Sequence, residues 1–298
     1  MQRKATPPHF WILQGVTAVL FAGRAWQHLR WDGPYRTLLW DESLMKPLVQ
    51  RLLGMDWASY VTNPNTDSFV RNLTIGVGWF FALAMIVTFL ATRYRWARWL
   101  VGIGGLWLLF IAVLYTKEHF QQAGLFVESS LMWGTPFLFL AAIGHDRWLR
   151  RWSWIAALAC SLTFIGHGAY ALGWHPRPGH FVQMTISITG WSEPACHTFL
   201  RVAGIMDMIV AVGLLIPVYQ IRTTAALYMS AWGLATAVAR IWAHFIPAFW
   251  QNGLAQWLHE VIIRLPHALV PLLLFLIWRR ARKTKEPELL EREKSRFY

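Results

Sequence analysis

Charge is scarce in this sequence. Only 14% of its 298 residues are Asp, Glu, Lys or Arg, against roughly a quarter in an ordinary soluble domain. Acidic charge is scarcer still, with 15 Asp and Glu set against 28 Lys and Arg, a formal net charge of +13. Cysteine is nearly absent, and Cys160 and Cys196 are its two copies. A disulfide needs Cα atoms within about 7 Å. One of these residues falls early in an apolar run and the other at the far end of the loop that follows, so both are read as free thiols without metal spacing. The sequence also holds no Gly-rich phosphate loop, nucleophile elbow, Cys-x-x-Cys or His-Glu-x-x-His. That excludes the common signatures of nucleotide binding, serine hydrolysis, thiol redox exchange and zinc proteolysis.

What is plentiful is apolar surface. Hydrophobic residues make up 56% of the chain and aromatic ones 15%, with twenty tryptophans, and the mean hydropathy is +0.35. Apolar runs recur at 10–28, 69–92, 97–116, 125–144, 153–172, 199–219, 223–245 and 257–278. Each is near the ~20 residues that cross ~30 Å of hydrocarbon. The expectation is an all-α, polytopic integral membrane protein with about eight transmembrane helices. The first run follows Arg3 and Lys4 but precedes no small-x-small cleavage site, and is read as a retained helix. Most tryptophans, Trp26, Trp31, Trp96, Trp99, Trp148 and Trp257 among them, fall at run ends, as an interfacial belt requires.

The basic residues are not scattered as a nucleic-acid surface would need. Arg93, Arg95 and Arg98 fall between the second and third runs, and Arg147, Arg150 and Arg151 between the fourth and fifth. Arg222 follows the sixth, and Arg279, Arg280, Arg282, Lys283 and Lys285 follow the eighth. By the positive-inside rule these connections and both termini are cytoplasmic in an inner (cytoplasmic) membrane. The partners expected are membrane lipids and other membrane subunits, with no nucleic acid. In the long outer loop 29–68, Leu38, Leu39, Leu44, Met45, Leu48, Leu52, Leu53 and Trp57 recur at helical spacing, which predicts an amphipathic helix on the outer surface. Phe181, Met184, Ile188 and Trp191 predict a shorter one.

The two halves echo one another. Phe69-Val70-Arg71 opens the second run and Phe199-Leu200-Arg201 the sixth. His119-Phe120 closes the third and His244-Phe245 the seventh; Gly23-Arg24 matches Gly166-His167; Glu128 with Pro136 matches Glu260 with Pro266. The reading is two parallel four-helix repeats, residues 1–146 and 147–283, with a charged cytoplasmic tail at 284–298. An even number of crossings per unit gives both copies the same orientation.

Ionisable residues in apolar runs are costly and mark sites. Arg24, His119, Glu128, His167, Arg240, His244, Glu260, Arg264 and His267 are the candidate ligand-binding residues, expected in the outer third together with His28, Glu118 and His259. Glu260 and Arg264, four apart, are expected to pair within one helix. Asp207, deeper in its run, is expected to pair with one of the arginines, or to relay protons if it does not. His with Glu suits iron, copper or zinc. However, Glu118-His119 and His259-Glu260 are adjacent residues, about 100° apart around a helix, and neither is the Glu-x-x-His of di-iron bundles. No metal ligand is assigned, and a quinone is expected ahead of a metal or haem.

A four-helix unit with a long, partly amphipathic loop after its first helix resembles the DoxX/DoxD-like family and, more distantly, the membrane domain of the vitamin K-dependent carboxylase type. The residues carrying this are Gly23-Arg24 and Gly166-His167, the loop openings Pro34-Tyr35-Arg36 and Pro176-Arg177-Pro178, and the ionisable starts of the fourth and eighth runs. The resemblance implies quinone-linked redox chemistry; the fused tandem of two units departs from the family pattern. The functional expectation is a redox-linked subunit that binds a quinone or similar lipid-soluble carrier in an outer-side His/Arg/Glu pocket. A non-catalytic scaffold subunit and a small-solute or lipid transporter are the alternatives.

Overall fold

The computed structural model describes residues 8–143 and 149–294, with side chains described over 10–143 and 152–283. Arg147 lies outside the described residues, and so do the side chains of Arg150, Arg151 and Lys285 and the end of the tail. The described chain is all-α, with no strand. The helices are α1 (Pro8–Arg30), α2 (Arg36–Leu39), α3 (Glu42–Leu53), α4 (Trp57–Thr62), α5 (Pro64–Thr88), α6 (Arg95–Glu118), α7 (Ala123–Glu128) and α8 (Ser130–Ala142). There follow α9 (Leu149–Leu172), α10 (Gly179–Thr189), α11 (Glu193–Leu215), α12 (Tyr219–Ala243), α13 (Trp250–Arg264) and α14 (Pro266–Lys294).

Six stretches among the described residues are long and apolar enough to cross a membrane: α5, α6, α7 with α8, Trp152–Leu172 of α9, α11, and Pro247–Lys283 across α13 and α14. Large apolar side chains cover much of their outward faces. On α5, Ile75, Trp79, Leu83 and Ile86 are exposed, as is Phe89 just after it, while Val70, Val77, Phe81, Ala84 and Val87 on the other face are buried. On α11, Val202, Ile205, Ile209 and Val212 are exposed in the same way. Contiguous apolar surface of this extent needs an apolar solvent around it. The chain is a polytopic membrane protein by this criterion. The remaining long helices, α1 and α12, have 23 and 25 residues. They carry more polar groups; α1 buries Gln14, Thr17, Arg24, Gln27 and His28 against its neighbours.

α1 packs chiefly on α5, α5 on α6, and α6 on α8; α9 packs chiefly on α11, α11 on α12, and α12 on α14. The two sets join where α9 lies on α7 and α8 and where α1 lies on α13 and α14. Glycines set these close approaches. A Cβ on Gly23 would meet Ile262 at 2.7 Å, and one on Gly166 would meet the backbone nitrogen of Glu128 at 2.5 Å. Between α9 and α11, Gly168 and Gly204 face each other, each Cβ falling within 3.0 Å of the other's carbonyl oxygen.

Several expected spans differ in detail. The second and sixth begin several residues earlier, because Pro64 and Pro194 occupy first-turn positions where a missing N–H costs nothing. The fourth and eighth are not continuous. Pro266 breaks the eighth after Arg264. The fourth is interrupted at Ser129 rather than at Pro136, which stays inside α8. There the hydroxyls of Ser129 and Ser130 donate back to the carbonyls of Phe126 and Val127 at 2.8 and 2.7 Å. Thr163 Oγ1 accepts from Leu131 N at 3.0 Å. The single amphipathic helix expected in the first loop is three short ones, α2 to α4. Asp41 and Asp56 start α3 and α4 as N-caps, and Gly54 ends α3 at φ 63°.

Asp41 also ties this loop to the bundle, accepting from Lys117 at the end of α6. It accepts further from Ser43 Oγ at 2.5 Å and Leu44 N at 3.0 Å. The Lys117 bond, then the Ser43 and Leu44 bonds, hold its carboxyl well below the usual carboxylate range. A depressed folded value stabilises the docked loop above pH ~4, and this contribution is lost as pH falls through the folded value. Acidification below pH ~4 is therefore expected to release the loop first, seen as faster amide exchange in residues 41–53. Asp41→Asn should show that fast exchange already at neutral pH.

Candidate functional site

The C-terminal ends of α1, α6, α9 and α12 and the N-terminal half of α11 lie at one end of the bundle, together with α7, α10 and α13. This end holds most of the ionisable residues singled out in the sequence. Glu260 on α13 is the hub. Its carboxylate pairs with Arg264 one turn on, lies 3.6 Å from Arg240 Nε of α12, and lies 3.4 Å from His259 Nε2. The intrahelical pair is thus present, and Arg240 extends it across to a second helix.

Asp207 does not pair with an arginine. Its Oδ2 meets His167 Nδ1 of α9 at 2.9 Å, and the carboxylate is fully buried. The reason is the glycine contact between α9 and α11. Gly168 brings the backbones so close that its Cβ would stand 3.0 Å from Asp207 Cβ. A short side chain from the next position on α9 reaches the carboxylate directly, whereas Arg240 turns to Glu260 instead. The Asp207 bond orients the imidazole. With the carboxylate as acceptor Nδ1 carries the proton of this pair, and Nε2 is an acceptor whenever the ring is neutral.

A cavity of about 240 Å³ opens beside His167. α9, α10, α11 and α12 wall it with Ala171, Phe181, Ile188, Leu200 and Ala203 among others. His167, Thr236, Arg240 and the indole of Trp232 bring the polar groups. Arg240 is 8% exposed and donates from one terminal nitrogen to Thr236 O at 3.1 Å. Drug-sized ligand pockets begin near ~300 Å³, so this space suits one ring-sized head group and not a whole amphiphile. Its lipophilic walls and few convergent polar groups are the usual make-up of a small-molecule site.

The other candidates divide. Arg24 is buried at 7% exposure and has no carboxylate within ion-pair distance among the described residues. It donates to Gln27 Oε1 at 2.8 Å, and Gln27 donates on to the Tyr115 hydroxyl at 2.7 Å. Glu128 is half-buried at the α7–α9 contact and makes no ion pair within 4.0 Å among the described residues. His267 is buried with Nε2 unpartnered, its backbone lying under Gly233. His244 stacks on Trp257 with ring centroids 3.8 Å apart. His119 is exposed and bonds to Tyr115 O of its own helix at 2.9 Å. The two histidines make no contact with each other. No group of three His, Cys, Asp or Glu that could hold a metal occurs among the described residues.

The sequence reading missed Trp232 and α10 as site components. Trp232 sits in mid-helix rather than at a run end, and its local signal is the run of small residues around it, Gly233, Ala235 and Ala239. No family model matches the chain, and neither a curated protein nor a solved structure matches it.

Proposed function

We propose that this chain is an eight-crossing membrane protein of two parallel four-helix units whose second unit binds the head of a lipid-soluble carrier, a quinone or a close chemical relative. The carrying observation is the apolar cavity whose polar wall holds an Asp-oriented imidazole and a buried arginine. A quinone head needs that combination. Its ring and methyl groups want apolar walls, and its oxygens want one cationic donor and one group able to take or give a proton. Arg240 donates to the carbonyl or phenolate oxygen. His167 Nε2 accepts from the hydroxyl of the reduced form, while Asp207 steadies the imidazolium that results. The isoprenoid tail runs out between α10 and α12 into lipid.

Two further lines support the reading. α1 and α12 are each long enough to cross a bilayer, and the helix packing repeats in the same order in both halves. The broken helices, α7–α8 and α13–α14, fall at matching places, a frequent feature of binding sites within membrane repeats. In this arrangement the cavity end is outward. The turn at Arg93 and Arg95, Arg222, and the end of α14 face the cytoplasm, in the inner membrane, with lipids and other membrane subunits as partners. The DoxX/DoxD-like resemblance agrees with a quinone-reactive role.

The test is extraction of the gently purified protein followed by mass analysis, and titration with a short-chain quinone. One carrier per chain is expected. Arg240→Leu should bind about 10- to 100-fold more weakly, from ~1.5–3 kcal/mol for a hydrogen bond to a charged group. Finding no carrier, and no saturable quinone binding, would favour a scaffold role in which Glu260 only holds α12 and α13 together.

A further inference from the structure

A second hollow lies against the opposite face of α11. It is a groove of about 880 Å³ where the end of α9, the loop after it and the start of α11 meet, and Trp174, His175, Arg177, Glu193, His197 and Arg201 line it among others. It shares no residue with the cavity beside His167. Arg177 is fixed in it. Its Nε and one terminal nitrogen donate to the carbonyl oxygen of Ala171 at 3.1 and 2.7 Å, which closes the end of α9. Its other terminal nitrogen is directed at His197 Nδ1. A guanidinium only donates, so Nδ1 accepts, and Nε2 carries its N–H toward Glu193, 3.5 Å away. The carboxylate of this groove therefore turns to an imidazole, and its side chain is 69% exposed. Arg201 makes no ion pair among the described residues. Burial, and after it the like charge of Arg201, pulls the Arg177 guanidinium below its usual value.

The first half shows what such an arginine takes when the chain supplies the partner. Arg36, six residues past the end of α1, pairs with Asp32 and, at 2.8 Å, with Asp67 of α5. Arg177 stands five residues past the end of α9. Pro64, Phe69 and Arg71 of α5 each lie 130 residues before Pro194, Phe199 and Arg201 of α11, which sets Asp67 opposite His197. Gly23 lies 143 residues before Gly166, which sets Asp32 opposite His175. Both carboxylates that hold Arg36 are thus histidines in the second half, and both histidines line the groove. Arg177 spends three of its five N–H groups on Ala171 and His197. Its remaining donors and those of Arg201 have no carboxylate to meet among the described residues.

We infer that this groove binds a phosphate group, carried by a lipid head group or by a free solute, with Arg177 and Arg201 as its cationic donors. Guanidinium forks match phosphate oxygens in pairs, and a groove of this size holds a whole head group. α11 begins along the groove, and Ser192 gives it no side-chain cap, so the partial positive charge of the helix start adds to the two arginines. Trp174 and Trp191, 70% and 48% exposed, stand at this end of the bundle, as side chains at head-group level do. Arg201 is exposed two turns into an apolar helix, and its long stem carries the charge back to that level. The site goes beyond the carrier reading and does not depend on it.

The experiment uses the full chain in a phosphate-free maltoside detergent, with calorimetry and melting temperature as readouts. The probes are inorganic phosphate, dihexanoyl phosphatidylglycerol, and dihexanoyl phosphatidylcholine, whose choline cancels the charge. Wild type should bind one equivalent of an anionic probe at least tenfold more tightly than the phosphatidylcholine. Binding of the phosphatidylglycerol alone assigns a lipid head group; binding of inorganic phosphate assigns a site open to free solutes. His197→Asp, which returns the first half's carboxylate, should neutralise Arg177, keep or raise the melting temperature, and bind the anion at least tenfold more weakly. Arg201→Gln, on an exposed face, should weaken binding as much with the melting temperature unchanged, and it decides alone if His197→Asp does not fold. No saturable binding by wild type, phosphatidylcholine binding as tightly as the anions, or a folded variant binding like wild type would overturn the inference. Neither residue lines the cavity beside His167, so the quinone titration is a separate readout, and failure of either reading leaves the other standing.

Discussion

Asp207→Leu is expected to destabilise the protein by about 3–5 kcal/mol, the usual cost of removing one partner from a buried ionisable pair. Asp207 is fully buried, bonds His167 across the α9–α11 contact, and sits against Gly168. Removal leaves the His167 ring without an orienting partner in an apolar wall. Asp207→Asn separates stability from chemistry. The amide keeps the size and one hydrogen bond, so the melting temperature in detergent should recover much of the loss. The amide cannot support an imidazolium, so binding of the reduced, hydroxyl-bearing form of a quinone should weaken more than binding of the oxidised form. A melting temperature for Asp207→Leu equal to wild type would mean that the pair contributes nothing to the packing of α9 on α11.

Gly233→Val is expected to abolish accumulation of folded protein. A Cβ at this position would lie 2.4 Å from the carbonyl oxygen of His267, and a backbone carbonyl in a packed helix has nowhere to go. Overpacking with side chains that can yield costs about 1–3 kcal/mol; here the opposing atom belongs to the backbone, so the cost is larger. Gly204→Val should behave alike, because its Cβ would meet Gly168 O and Leu172 N, each at 2.9 Å. Gly15 and Gly76 are the controls, with nothing within 4 Å of an added Cβ. Gly15→Ala and Gly76→Ala should be neutral or stabilise by about 0.5–1 kcal/mol, since alanine orders more cheaply in a helix. Yields and melting temperatures of the four variants, measured side by side, check the contrast.

These contacts show why the site was partly legible before the fold was known. Arg240, Glu260, Arg264, His167 and Asp207 stood out because ionisable groups are costly in apolar runs, and that cost has to be met somewhere nearby. The Glu260–Arg264 pair followed from helical spacing alone. The partner of Asp207 did not. It depended on Gly168 and Gly204 letting two backbones come together, and a glycine in an apolar run carries no sign of which helix it will face. His119 and His244, matched in sequence, ended with different neighbours, because a tryptophan on α13 covers one and solvent the other.

Composition and periodicity by themselves determined that this chain is helical and suited to a membrane. The reason is local: each apolar run is long enough to satisfy its own backbone hydrogen bonds wherever it lies. Only the tertiary structure decided that a cavity lies beside His167, between α9, α10, α11 and α12. A void is the shape left between helices, and Ala171, Ala203, Ala235 and Ala239 line one only because α9, α11 and α12 bring them together beside α10.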